Sequence, residues 1–307
     1  MRRLILCLAG LTNLAFVFAQ SGDTTDVHDY RRIDSLALAA PPAAVLNLTT
    51  LATYLAAGAR DDAEKARAVF RWVTAHVAYD VQAYRTGRYP DQHAESVFRR
   101  RTAVCEGYAN LVYELCGRLG LEAAVVRGFA KGAGYRFGDR ITKVSGHAWN
   151  AVKIDSTWRL MDATWGAGVL NGGQFVRRFS YFFFFPAPAY FILDHYPLDP
   201  KWQLQDSPVT LTAFEAGPQP FFSFPFYPIA PLDGSLVKNE TYLFRYRIPG
   251  AVSVIVIQDG KEATVLARGT GDEFAGEVLV TGAEVQLGAR YSEETTNYDI
   301  LMQYGTK

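Results

Sequence analysis

The chain has 307 residues, 49% hydrophobic and 20% charged, a globular balance that at about 100–200 residues per domain implies one large or two medium domains. Its 31 basic residues match 31 acidic ones, which excludes the net positive field that draws proteins to nucleic acid or to an anionic membrane surface. No basic helical stripe, zinc-finger spacing or glycine-rich phosphate loop occurs in it.

The chain opens on Met1-Arg2-Arg3, continues through an apolar stretch from Leu4 to Phe18, and places small residues in Val17-Phe18-Ala19 at the −3 and −1 positions of a cleavage site. This predicts a signal peptide over 1–19 and a secreted, periplasmic or cell-envelope location. The apolar stretch is shorter than the roughly 20 residues that span a bilayer, so no stable membrane insertion is expected. Cys7 lies outside a lipoprotein-type Leu-x-Gly-Cys context. Cleavage leaves two cysteines, Cys105 and Cys116, eleven positions apart in one predicted helix. At 1.5 Å per residue they are about 16 Å apart, too far for a disulfide.

Residues 20–45, polar and then rich in Ala and Pro, read as a mobile lead-in. Leu48 to Ala57 is a short predicted helix stopped by Gly58, and Asp61 caps a stronger one in which Ala66, Val69, Phe70, Val73 and Val77 share a face. Tyr84 to His93 reads as a polar loop. A helix follows from about Ala103, with Thr102 as N-cap, Ala109, Val112, Cys116 and Leu119 as its apolar stripe, and Gly120 as its stop. Glu122 to Phe129 is a predicted strand and Lys131 to Gly138 a glycine-rich loop. His147–Ile154 and Trp158–Ala163 are two strands joined at Asp155-Ser156. Helices followed by strands indicate an α+β domain over 20–205. The aromatic run Tyr181 to Phe185 reads as a buried strand or core plug. From about Asp206 short alternating segments (Tyr242–Arg247, Ser253–Ile257, Thr264–Ala267, Glu277–Val280) predict a β-sandwich over 206–307.

Cys105 falls in the first turn of its helix, where unpaired N–H groups and the helix dipole favour a thiolate and can serve an oxyanion. His147 stands between Gly146 and Ala148 at a strand start. With a two-residue turn, Ile154 pairs with Thr157, which sets Asp162 on the face of His147 as a diagonal neighbour, within roughly 7–8 Å. A carboxylate there would orient the imidazole and stabilise its protonated form. His28, His76 and His93 lack metal-ligand spacing, and no metal is expected.

Three segments in this order, Thr102-Ala-Val-Cys105-Glu-Gly-Tyr-Ala109, Gly146-His-Ala-Trp-Asn150 and Trp158-Arg-Leu-Met-Asp-Ala-Thr-Trp165, resemble the transglutaminase-like superfamily. Arg71-Trp72 and Tyr79-Asp80 fit the same pattern upstream. Asp162-Ala-Thr-Trp-Gly-Ala-Gly168 and His195-Tyr-Pro-Leu-Asp-Pro-Lys-Trp-Gln203 are similar to its kyphoscoliosis-peptidase-like branch. The resemblance covers about residues 60–215. It implies a papain-like, transglutaminase-like core in which the nucleophile helix packs on an antiparallel sheet. It also implies acyl transfer by a Cys105–His147–Asp162 triad on a protein or peptide substrate, without a cofactor. Tyr79, Trp72 and Trp165 are candidate oxyanion or site-wall residues. His195, in a proline-rich link, is expected to have a structural role or to make a domain-junction hydrogen bond. The alternative reading is a catalytically silent binding module. A papain-type protease proper is disfavoured, because Arg99 to Ala103 holds no glutamine ahead of the cysteine.

Overall fold

The structure is a computed structural model that describes residues 29–132, 134–142, 146–221, 227–232 and 235–307. The predicted signal peptide lies outside the described residues. Among those described, no helix is long and apolar enough to cross a membrane.

Helices come first. The expected mobile lead-in instead contains α1 (Arg31–Leu38), because Asp34 pairs with Arg67 at 2.7 Å and Ile33 and Ala37 are fully buried. Helix α2 (Leu48–Gly58) begins with a capping box between Asn47 and Thr50. Helix α3 (Asp62–His76) starts where Asp61 accepts the Glu64 N–H. A two-residue strand β1 (Ala78–Tyr79) leads into α4 (Val81–Thr86), capped by Asp80, so the predicted polar loop is helical over its first turn. Helix α5 (Ala94–Arg100) follows, then β2 (Thr102–Ala103), parallel to β1 with Tyr79 beside Ala103.

Helix α6 spans Cys105–Arg118. Thr102 is not its cap, because Thr102 and Ala103 are held extended in the β1–β2 pair. The preceding turn is tied down from a distance: the Val104 N–H donates to Gln92 Oε1 at 3.2 Å. A side chain at Gly107 would collide with that amide, Ala103 and Val97, so this glycine is required for packing against α5.

Strands β3 (Ala123–Ala130), β4 (His147–Ile154) and β5 (Thr157–Met161) form an antiparallel sheet with β8 (His195–Pro197), in the order β5-β4-β3-β8. Between β5 and β8 come α7 (Ala163–Ala167), the hairpin β6 (Gly168–Asn171) and β7 (Gln174–Arg177), and α8 (Pro188–Phe191). The β4–β5 register is the one derived above, with Ile154 opposite Thr157 and Asn150 opposite Met161. Asp155 and Ser156 both have positive φ, as a tight hairpin turn of this hand demands. Helix α6 lies against β3 and β4, and Val112, Leu115 and Cys116 on its inner face are fully buried.

The aromatic run is a core plug rather than a strand. Tyr181–Phe183 forms one 3-10 turn, and Phe182, Phe183 and Phe184 are buried.

After helix Leu211–Ala216 the regular elements among the described residues are all strands. One sheet pairs strand Thr241–Arg247 with Glu273–Leu279, and the other runs through Ser253–Gln258, Glu284–Arg290 and Asp299–Thr306. Phe244, Val254, Val256, Leu287 and Leu301 are fully buried within them. The architecture is α+β, helices on an antiparallel sheet followed by a two-sheet C-terminal region.

Candidate active site

Strand β4 begins at His147, and β5 hands the chain to α7 through Asp162, which caps that helix. Asp162 is fully buried and His147 is 8% exposed. One carboxylate oxygen, Oδ1, accepts the N–H groups of Thr164 at 2.7 Å and Trp165 at 3.2 Å. The other, Oδ2, accepts from Nε2 of His147 at 2.8 Å. Since Nε2 is committed, Nδ1 is the nitrogen left to meet Cys105, whose thiol is hydrogen-bonded to this imidazole. Cysteine, histidine and aspartate thus converge from α6, β4 and the β5–α7 junction.

The electrostatics follow from that chain of contacts. Burial pushes the Cys105 thiol up, but the hydrogen bond and charge of His147 outweigh it and the net shift is downward. Burial disfavours the imidazolium, yet the Asp162 carboxylate and Cys105 raise His147 to about 10. Asp162 itself is held well below the usual carboxylate range, against its burial, by the two imidazoles bonded to it. Burying a carboxylate costs several kcal/mol. Four donors at about 1.5–3 kcal/mol each to a charged acceptor suffice to keep it ionised. Cys116, by contrast, has only burial acting on it and is pushed up to about 12.

The second imidazole is His195 on β8. Its Nε2 lies 3.1 Å from Asp162 Oδ2, and its Nδ1 is 2.5 Å from Asp194 Oδ1. His195 is 1% exposed and Asp194 fully buried. Rather than a structural residue of a proline-rich link, His195 is in direct contact with the site. Strand β8 can come this close because Gly128 of β3 has no side chain to strike Tyr196 and Trp149. His147, Asp162 and His195 place ligand-type atoms within 4.8 Å of one another. Each of those atoms is already joined to another at hydrogen-bond distance, so the group is built as a proton-bearing relay.

Beside the relay opens a chamber of about 520 Å³, lined by Tyr79, Tyr84, Trp165, Phe175, Phe179 and Phe183 among others. Tyr79 and Trp165 line this chamber. Trp72 does not. It is fully buried between the rings of His76 and Phe98 with Arg101 over its face, because α3 turns it into the core. Tyr79 reaches the site because the β1–β2 pair is clamped by Ala78 N–H to Arg101 O and Asp80 N–H to Ala103 O. Burial, with the Cys105 charge adding to it, raises the Tyr79 hydroxyl, which therefore keeps its proton. Lys131 also lines the chamber. Burial pushes its ammonium down to about 7, and its Nζ donates to the carbonyls of Gly217 and Pro218.

A cysteine at a helix start, an imidazole on the facing sheet and a buried carboxylate behind it define a transglutaminase-like domain, and residues 49–163 match the model of the transglutaminase-like superfamily. Over 170 residues, 55% of its length, the chain is 35% identical to kyphoscoliosis peptidase of Mus musculus, and over 192 residues, 62% of its length, 32% identical to that of Homo sapiens. It is similar to that branch of the superfamily, and it spans 26% and 29% of those two proteins. A crystal structure described as that of a TGase covers 48% of this chain, and 35% of its own chain is covered, at 24% identity with a TM-score of 0.31.

Proposed function

We propose that the chain is an exported cysteine acyl-transfer enzyme acting on peptide or glutamine-type amides, with Cys105 as nucleophile, His147 as acid–base and Asp162 as orienter. The observation that carries this reading is a thiol of lowered pKa, hydrogen-bonded to a buried imidazole that a fully buried carboxylate fixes. In this mechanism Cys105 Sγ adds to the amide carbon, and the carbonyl oxygen takes up the negative charge. The first-turn N–H groups of α6 and the Tyr79 hydroxyl are its donors. His147 passes its Nδ1 proton to the leaving nitrogen as the C–N bond breaks, which leaves a thioester. Water or an amine then adds to the thioester carbon and gives its proton to His147, and the C–S bond breaks. Aromatic walls suit an acyl donor with an apolar side chain near the reacting amide.

The test is iodoacetamide labelling of the mature protein across pH, read by peptide mass spectrometry. Cys105 is expected to react at pH 6 while Cys116 stays unlabelled. Equal labelling of both thiols would remove the enzyme reading and leave a binding module. Export is tested separately, with a mature N-terminus at Gln20 as the expected result and an intact Met1 as the overturning one.

A further inference from the structure

We propose that His195, held by Asp194, is a positioning residue that donates a permanent N–H to Asp162 and thereby sets the pH at which the Cys105–His147 pair forms. The inference rests on the triad reading above and extends it by two residues.

His195 is boxed in on every side. Its ring stacks on Phe191 at 3.9 Å and 16°, meets the edge of Trp165 at 4.5 Å, and crosses Trp149 at 5.2 Å and 86°. The ring cannot swing away, so its two nitrogens address two fixed carboxyl oxygens. The titratable groups around it are Asp194 on its own segment, Asp162 and, beyond it, His147 from the facing elements, and Lys131 from the end of β3, whose charge reaches Asp194.

The proton count decides what His195 can do. Between Nδ1 of His195 and Oδ1 of Asp194 lies one proton. If the histidine holds it, the pair is imidazolium and carboxylate; if the aspartate holds it, the pair is imidazole and carboxylic acid. Either way the pair is neutral overall and Nε2 carries a hydrogen aimed at Asp162. Both members of the pair hold on to that proton. Asp194 Oδ2 is buried with no hydrogen-bond partner. An orphaned acid carbonyl costs less than an orphaned carboxylate oxygen. Burial raises the Asp194 carboxyl in spite of His195 and Lys131, and Asp194 and Asp162 raise the His195 imidazole in spite of its burial, so the pair keeps its shared proton. Asp162 therefore receives a donor that adds no net charge to the site.

That donor has a kinetic consequence. Without it Asp162 is more basic and takes up a proton at higher pH. Asp162, held well below the usual carboxylate range, stays ionised above pH 4 all the same, and its undivided charge holds the His147 imidazolium, and with it the Cys105 thiolate, more tightly. The acid limb of Cys105 reactivity should therefore move downward when the donor is lost. One charge-assisted hydrogen bond corresponds to about a tenfold change or more, roughly one pH unit.

The experiment compares iodoacetamide labelling of Cys105 between pH 4 and 9 in the full mature chain, in His195→Phe and in His195→Gln. Phenylalanine keeps the ring in the aromatic box and removes the donor; glutamine keeps an N–H at similar reach. Cys116, fully buried, stays unlabelled as long as a variant is folded. Should His195→Phe expose Cys116, His195→Asn takes its place, its amide being too short to reach Asp162. The expected result is an acid limb lowered by up to about one unit in the donor-less variant, with up to about tenfold faster labelling at pH 5–6, and restoration by His195→Gln. An unchanged or raised limb in the donor-less variant overturns the proposal, as does an equal shift in His195→Gln, which would mark His195 as packing alone. A wild-type Cys105 no more reactive than Cys116 is a different failure, since it removes the triad reading itself.

Discussion

Two buried polar networks in this chain solve the same desolvation problem in opposite ways. In the C-terminal region Tyr246 and Tyr304, both fully buried, share a hydrogen bond, and Tyr304 also donates to the Pro231 carbonyl at 3.0 Å. Burial raises both phenols, so the network is neutral and closed on itself. Around Asp162 the buried groups are ionisable, linked in series from Asp194 to Cys105, and end at an aromatic chamber. Hydroxyls satisfy one another and fix a packing arrangement. A chain of acids and bases costs more to bury and is arranged to move a proton to its open end.

The largest effect expected from breaking that contrast is on turnover. Asp162→Asn keeps the acceptor for the Thr164 and Trp165 N–H groups through its amide oxygen, so α7 remains capped. It removes the charge that holds the imidazolium and can impose the wrong tautomer, so turnover of an amide substrate should fall by about three to four orders of magnitude. Turnover within tenfold of wild type, with an unchanged melting temperature, would show that the carboxylate does not matter.

Next in size is His147→Ala, which should slow Cys105 alkylation at pH 6 by about a hundredfold, because the thiol loses the partner that lowers its pKa. The same pair has a stability signature. His147 titrates at about 10 in the fold, above its ordinary 6.5. Its contribution is therefore full below about 6.5 and is lost as pH rises through 10. Denaturant unfolding of wild type should weaken between pH 7 and 10.5 by more than that of His147→Ala. Parallel profiles would contradict the raised imidazole.

Why were some parts of this site legible in the sequence and others hidden? The Asp155-Ser156 turn fixes a period-2 register, and from that register alone His147 and Asp162 fall on one face. Cys105 was legible because it opens a long helix with an apolar stripe. Gln92, which ties down the turn before Cys105, acts across a loop and a helix of only seven residues. His195 sits 33 positions from Asp162, in a three-residue strand that follows prolines. No periodicity survives over so short a segment, and its partner is set by sheet order rather than by spacing. The failed expectation for Trp72 has the same origin. A helical tryptophan upstream of a cysteine carries no sign of which way its face turns. The pairing of Ala78 and Tyr79 with β2 decides that Tyr79, rather than Trp72, faces the site.

Smaller effects belong to the neutral network. Tyr304→Phe leaves the Tyr246 hydroxyl and the Pro231 carbonyl without their shared partner, at about 1–3 kcal/mol of stability. Cys105 labelling should not change, because this hydroxyl lies in the C-terminal sheets and makes no contact with the relay. A large fall in labelling would show that the two regions are coupled.

The smallest change is the most informative about the contrast itself. Replacing both Tyr246 and Tyr304 by phenylalanine removes donor and acceptor together and keeps both rings, including the edge contact of Tyr304 with Phe244 at 5.7 Å. Removing both partners of a neutral buried hydrogen bond with groups of the same shape is close to neutral. Here one carbonyl is left over, so the double variant should lose about 1 kcal/mol or less, and less than Tyr304→Phe alone. The coupling is positive because the second substitution removes the hydroxyl that the first one orphaned. No such compensation is open to the relay: taking away Asp162 and His195 together still leaves His147 buried with a proton to hold. Denaturant unfolding of wild type and the three tyrosine variants in a double-mutant cycle measures this directly. Strictly additive losses would mean that the two hydroxyls do not depend on one another, and that the neutral network is an incidental contact.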